Sequence, residues 1–248
     1  MSISKKDNNI RIWNVNNWEC ILNIADINRD GFLNSGCFLL DNYEIYILSS
    51  NSKSEPIKMF NLNGQKIKEI NNSNEPTYFI DTYYDNLLSN KFIITGNDDY
   101  VKSYLINENK IYYKYDDNEN IFASSYAHYS IIVKKFENII KLIESCDDGN
   151  IRIWKFHSGI LLRKIKISDE GLRGICLYND DYLFVGCKDK TIKLINLDNE
   201  LIIQNIKSHE NEVITLKKIF HPFFKNILLS QNFKQSKIYI CLLIESNI

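Results

Sequence analysis

The chain has 248 residues, 44% of them hydrophobic, 12% aromatic and 25% charged, with a formal net charge of −1. Such a make-up belongs to a packed globular protein and not to a disordered tail. The near-balance of mixed charge leaves no electrostatic footprint for a nucleic-acid backbone or an anionic membrane, so neither is expected as a partner.

The N-terminal segment MSISKKDNNIRIW lacks the apolar stretch of a secretory signal, and no run approaches the roughly 18 consecutive apolar residues of a membrane span. A soluble, cytoplasmic protein is therefore expected, with the nucleus left open. Within that segment, KDNNIRIWNV (6–15) sets a polar turn with an Asp before a strand-like stretch. The pattern returns as EPIKMFNLN (55–63), DDYVKSYLIN (98–107), CDDGNIRIWKF (146–156), KDKTIKLINLDN (188–199) and QSKIYICLL (235–243). Aligned on the residue that matches Trp154, it falls at Trp13, Phe60, Tyr104, Trp154, Ile195 and Cys241, with separations of 41 to 50 residues. Four-stranded propeller blades repeat every 40–45 residues or so.

The unit around Trp154 shows the internal grammar. YSIIVKKF (129–136) reads as a first strand and IIKLIES (139–145) as a second. CDDG makes a tight turn, NIRIWKF (150–156) is a third strand, HSG turns again, and ILLRKIKI (160–167) is the fourth. In NIRIWKF, Ile151 and Ile153 alternate with Arg152, which predicts one apolar face against the neighbouring sheet. Runs rich in Ile, Leu, Val, Phe and Tyr are separated throughout by Asn, Asp, Ser and Gly, as antiparallel strands require. No window carries a capped i, i+3, i+4 apolar stripe, so no substantial helix is predicted. The six cysteines (Cys20, Cys37, Cys146, Cys176, Cys187 and Cys241) include no CxxC pair. They read as reduced thiols packed like small apolar residues, and neither a disulfide framework nor a zinc site is expected.

These motifs resemble WD40 repeats. DDGNIRIW is similar to the family's turn-and-strand signature, whose turn Asp corresponds to Asp7, Asp98, Asp148 and Asp189, while Ser54 and Gln235 depart from it. SHENEV (208–213) resembles the Gly-His motif that opens a repeat, and AHYS (127–130) is a weaker version. The resemblance implies an all-β, WD40-type β-propeller of about five to six blades of four-stranded antiparallel sheets, with incomplete blades at both termini. The repeats run roughly over 1–25, 33–70, 77–115, 127–167, 172–206 and 209–244 of a single domain. The strand count does not close: either the ring closes imperfectly with a spare hairpin, or the sequence is a fragment of a longer propeller, the reading preferred here. The resemblance further implies a structural network in which a turn Asp bonds a His over a buried ring, here His128, Asp148 and Trp154. Trp13, Asp7, Asp98, Asp189 and His209 fill matching positions, and His209 is expected to face Gln235.

No HxxxH, GxSxG or glycine-rich phosphate loop occurs, and the paired carboxylates Asp116–Asp117, Asp147–Asp148 and Asp180–Asp181 fall in turns. No catalytic residue, metal or cofactor is expected. The function implied is a non-catalytic scaffold that binds other proteins or peptides. The alternative is the regulatory part of a larger signalling enzyme, such as a kinase-like protein. Candidate contacts lie in the loops that join repeats: Arg29, Asp116, Glu170, Arg173 and His209.

Overall fold

The computed structural model describes residues 1–4, 8–25, 32–53, 55–70, 75–98, 100–108, 110–117, 126–207, 209–221, 225–232 and 238–242. Among these the regular structure is all strand, and no helix is long and apolar enough to cross a membrane. Contacts divide the chain into two compact units, Met1–Ala127 and His128–Ile248.

The first unit holds three sheets. One is β1 (Ser2–Ser4), β2 (Asn9–Trp13) and β3 (Cys20–Ala25). The second is β4 (Leu33–Asp41), β5 (Glu44–Asn51), β6 (Ile57–Asn61) and β7 (Lys66–Ile70). The third is β8 (Phe79–Asp85), β9 (Asn90–Gly96), β10 (Val101–Leu105) and β11 (Lys110–Tyr115). The second unit repeats the plan with β12 (His128–Phe136), β13 (Ile139–Cys146), β14 (Asn150–Lys155) and β15 (Ile160–Lys166), then β16 (Leu172–Leu177), β17 (Tyr182–Cys187), β18 (Thr191–Asn196) and β19 (Ile202–Lys207). A three-stranded sheet follows, of β20 (Val213–His221), β21 (Lys225–Asn232) and β22 (Ile238–Leu242). Every sheet is an antiparallel meander in sequence order, the simplest outcome for β-branched runs joined by short polar turns.

Each unit is held by apolar contact between successive sheets. In the first, Ile10, Ile24, Leu33, Ile47 and Phe60 join the first two sheets. Leu48, Ile57, Ile80, Ile93 and Tyr104 join the second and third. In the second unit, Ile143, Ile153, Leu172, Val185 and Ile195 form the corresponding cluster. Each buried Ile or Leu stabilises the fold by about 1.5–3 kcal/mol. Hydroxyls stitch the same interfaces at equivalent positions. Ser35 Oγ accepts the Ile80 N–H at 3.2 Å and Ser130 Oγ accepts the Ile175 N–H at 3.3 Å. Ser50 donates to the Thr77 carbonyl at 3.3 Å, and Ser145 donates to that of Arg173.

The third and fourth strands share a further irregularity. In all five described pairs the register shifts immediately before the residue aligned with Trp154. The fourth strand carries the extra residue there: Ile21, Ile67, Tyr112, Leu162 or Ile203. A β-bulge at a fixed position strengthens the local twist each time. One expectation from the sequence is corrected. Strand β14 is buried on both faces, not one, because Arg152 is only 2% exposed and is neutralised where it lies.

Candidate functional site

The turn CDDG shapes the best-formed repeat. Gly149 adopts φ +80, and a Cβ there would collide with the Ser168 carbonyl oxygen, so this turn needs glycine. Asp148 accepts the Asn150 N–H at 3.0 Å and is paired with the Arg152 guanidinium. Burial would raise the Asp148 pKa, but the bonds from Arg152 and Asn150 win and hold it at about 2. Asp189 repeats the arrangement in the next sheet. It accepts Thr191 N–H at 3.0 Å and Lys193 Nζ at 3.0 Å, and its carboxyl also titrates below the usual range, the same bonds outweighing burial.

The expected network is redrawn around a residue that sequence reasoning missed. His128 Nδ1 lies 2.8 Å from Glu144 Oε2, and Trp154 Nε1 donates to Glu144 Oε1 at 3.0 Å. Glu144 is fully buried, His128 3% exposed and Trp154 1% exposed. Burial alone would lower the His128 pKa, yet the Glu144 carboxylate beside it holds it well above the ordinary value. Asp148 does not reach His128; it is taken by Arg152, four residues along on the adjoining strand. The physical reason is register: Glu144 stands opposite Arg152, so the carboxylate on β13 lies inside the sheet where the ring and imidazole meet.

The remaining motif residues are dispersed. Trp13 is 37% exposed and donates to Ser2 Oγ at 2.8 Å. Asp98 forms a bridge with Ala127, and His209 Nε2 lies 2.9 Å from Ser230 Oγ. Burial lowers the His209 pKa. Asp7, Arg29 and Gln235 lie outside the described residues.

Among the candidate contacts, Asp116 accepts from Lys114 at 2.9 Å, and Glu170 is exposed on a turn anchored by Ser168 Oγ. Arg173 belongs to strand β16 and not to a loop, with its side chain 10% exposed. It is the centre of a charged ledge across the three sheets of the second unit. Its Nη1 donates to Asp147 at 2.8 Å, its Nε to Glu212 at 3.3 Å, and its guanidinium lies 3.9 Å from the Tyr129 ring centroid. Lys188 Nζ reaches the same Asp147 oxygen at 2.6 Å. Lys188 and Glu212, 31% and 39% exposed, are the accessible ends of the chain of charges. A partner can exchange ion pairs with those ends while Arg173 keeps the ledge in place.

Between sheets β12–β15 and β16–β19 lies a cavity of about 300 Å³. Phe136, Ile143, Ile153 and Leu197 line it, with Arg163 and Asp180 among its polar walls. Arg163 donates to the Leu197 carbonyl, and Lys134 pairs with Asp180. These charges are already engaged, and among the described residues no group of three or more His, Cys, Asp or Glu is placed to hold a metal.

No protein-family model matches the sequence. No curated protein matches it. Among solved structures, the crystal structure of the WD40 β-propeller domain of Doa1 matches with a TM-score of 0.69 at 18% identity, over 92% of this chain and 70% of that one. At that identity the likeness is one of architecture. Six antiparallel sheets built on one repeating plan, three in each unit, agree with it. The chain has the fold of a WD40 β-propeller.

Proposed function

We propose that the chain is a non-catalytic interaction scaffold whose second unit grips a protein partner through the ledge of Asp147, Arg173, Lys188 and Glu212. The observation that carries this reading is the ledge itself. It is a fixed row of opposite charges, drawn from turns and strands of three sheets and exposed at its ends. Rigid loops on a packed scaffold bind with little ordering cost, and complementary charges at a rim set partner choice and association rate. The thiols of Cys20, Cys37, Cys176 and Cys187 are not tied up in disulfides, which supports placing the protein in the reducing cytoplasm or nucleus.

The test is affinity purification of the full chain from its source cell with quantitative mass spectrometry, beside the Lys188→Glu and Glu212→Lys variants. The expected result is loss of a defined set of co-purifying proteins in the variants at an unchanged melting temperature. Equal recovery by wild type and variants would overturn the use of this ledge.

A further inference from the structure

The turns at one end of the first unit carry apolar side chains into solvent. Asn8 Oδ1 accepts the Leu33 N–H, so the Asn8 turn and the start of β4 share one end of that unit. The β2–β3, β4–β5 and β6–β7 turns then share the other end. Ile80 N bonds Ser35 and Thr82 Oγ1 bonds the Phe38 carbonyl, which sets β8 beside β4 in the same direction. Lys91 pairs with Asp41 at 2.6 Å, which seats the β8–β9 turn beside the β4–β5 turn. At this end Val15 is 73% exposed, Trp18 75%, Tyr43 103%, Leu62 48%, Leu87 69% and Leu88 50%.

Two of these residues stand against local conformational preference. Trp18 has φ +60 and Tyr43 φ +65, a region that bulky side chains rarely enter and that glycine or asparagine fills without strain. Tyr43 takes the second place of a two-residue Asn-Tyr turn in which Asn42 is also left-handed, a geometry that favours Asn-Gly. Neither ring is buried to offset the strain. Strain of this kind persists where function requires it. The Trp18 turn is also pre-set by its own bonds: Trp18 N to Asn14 O at 2.8 Å, Asn16 N to Asn14 Oδ1 at 2.9 Å, and Glu19 N to Asn17 Oδ1 at 3.1 Å. Trp and Tyr on fixed turns, set among asparagines, are the side chains that anchor protein interfaces at low entropic cost. Charge selects the partner's flanks. Glu19, Glu44 and Glu108 are exposed here beside Lys110, while Lys66 and Lys91 are paired with Glu69 and Asp41.

We infer that this end of the first unit is a docking surface for a protein segment with an apolar centre and basic flanks, anchored by Trp18 and Tyr43. The inference rests on the scaffold reading but uses none of the ledge residues, so the two can fail separately. The test selects random displayed peptides on the full chain. It then compares the winners on wild type, on the Trp18→Gly, Tyr43→Gly double variant, and on Lys188→Glu. Peptides with apolar or aromatic centres and Lys or Arg flanks are expected. They should lose roughly tenfold or more in affinity on the double variant, keep it on Lys188→Glu, and shield Trp18 fluorescence from iodide. Glycine suits both left-handed positions, so the double variant should melt no lower than wild type. The inference is overturned by a fall in melting temperature, by equal binding to the double variant, or by failure to enrich any such peptide. Transfer of Trp18 into phosphatidylcholine vesicles would assign the surface to lipid and overturn it as well.

Discussion

Sheets β8–β11 and β12–β15 place different chemistry at the same four positions. In the second unit's sheet, Trp154, Glu144, His128 and Cys146 form a buried chain centred on the Glu144–His128 pair, with 3.9 Å between Cys146 Sγ and His128 Nε2. In the first unit's sheet, Tyr104, Thr95, Asn97 and Thr77 replace them. The Thr95 hydroxyl bonds the Tyr104 phenol and also donates to Asn97 Oδ1 at 2.8 Å, and Asn97 Nδ2 donates to Thr77 Oγ1 at 3.2 Å. One network is charged and the other neutral, yet the strands, register shift and neighbouring clusters correspond. The fold does not demand a polar relay at this depth, because sheet β16–β19 sets Ile195, Val185, Leu172 and Cys187 at the same positions. Where polar groups stand there they bond one another, since an unmade bond is costly.

The largest expected effect comes from emptying the ring site of the charged sheet. Trp154→Ala should cost about 3–5 kcal/mol, a large share of the roughly 5–15 kcal/mol typical of a domain. A melting temperature within about a degree of wild type would break the comparison at its root. Next comes the charge itself. His128 has a higher pKa folded than unfolded, so its stabilisation is complete below its unfolded value of about 6.5 and is lost as pH rises through the folded value. Urea unfolding from about pH 6 to pH 10 should show stability falling in wild type. Glu144→Gln should cost about 2–3 kcal/mol at the lower pH, and the fall attributable to His128 should disappear. An identical slope in both proteins would show that the pair does not titrate with unfolding. The smallest effect belongs to the neutral sheet, where Tyr104→Phe removes one hydroxyl. A loss of about 1 kcal/mol is expected, with no new pH dependence, since burial drives the Tyr104 phenol upward and away from the working range.

Much of the architecture was legible in the sequence because turn and third strand recur together. The spans read around Trp154 agree with β12 to β15 to within a residue or two. What the letters concealed is which strands are enclosed on both sides. Glu144 sits in the run IIKLIES, which reads only as a second strand, but β13 is a central strand, and its last residues are buried on both faces. The register given by CDDG places Glu144 across from Arg152, and that opposition is the signal from which it could have been found. IRIW shows the same point in reverse. Trp154 meets a buried glutamate and disappears from solvent, whereas Trp13 meets Ser2 and remains partly exposed. Arg173, which the family resemblance places among the loops that join repeats, is followed by Gly174. That glycine lies within β16, where a Cβ would come 2.9 Å from the Leu216 nitrogen, so the approach of β20 extends the strand through both residues.

The supernumerary residue on every described fourth strand gives the repeats a tolerance that their third strands lack. Removing Leu162 would let β15 fall into ordinary pairing with β14, leaving the downstream side chains on the sides they already occupy. The same shortening inside β14 would turn Ile151 or Trp154 outward and empty the interior. Changes in length during descent can therefore collect along the outer strands, while the sequence of the third strands stays in phase.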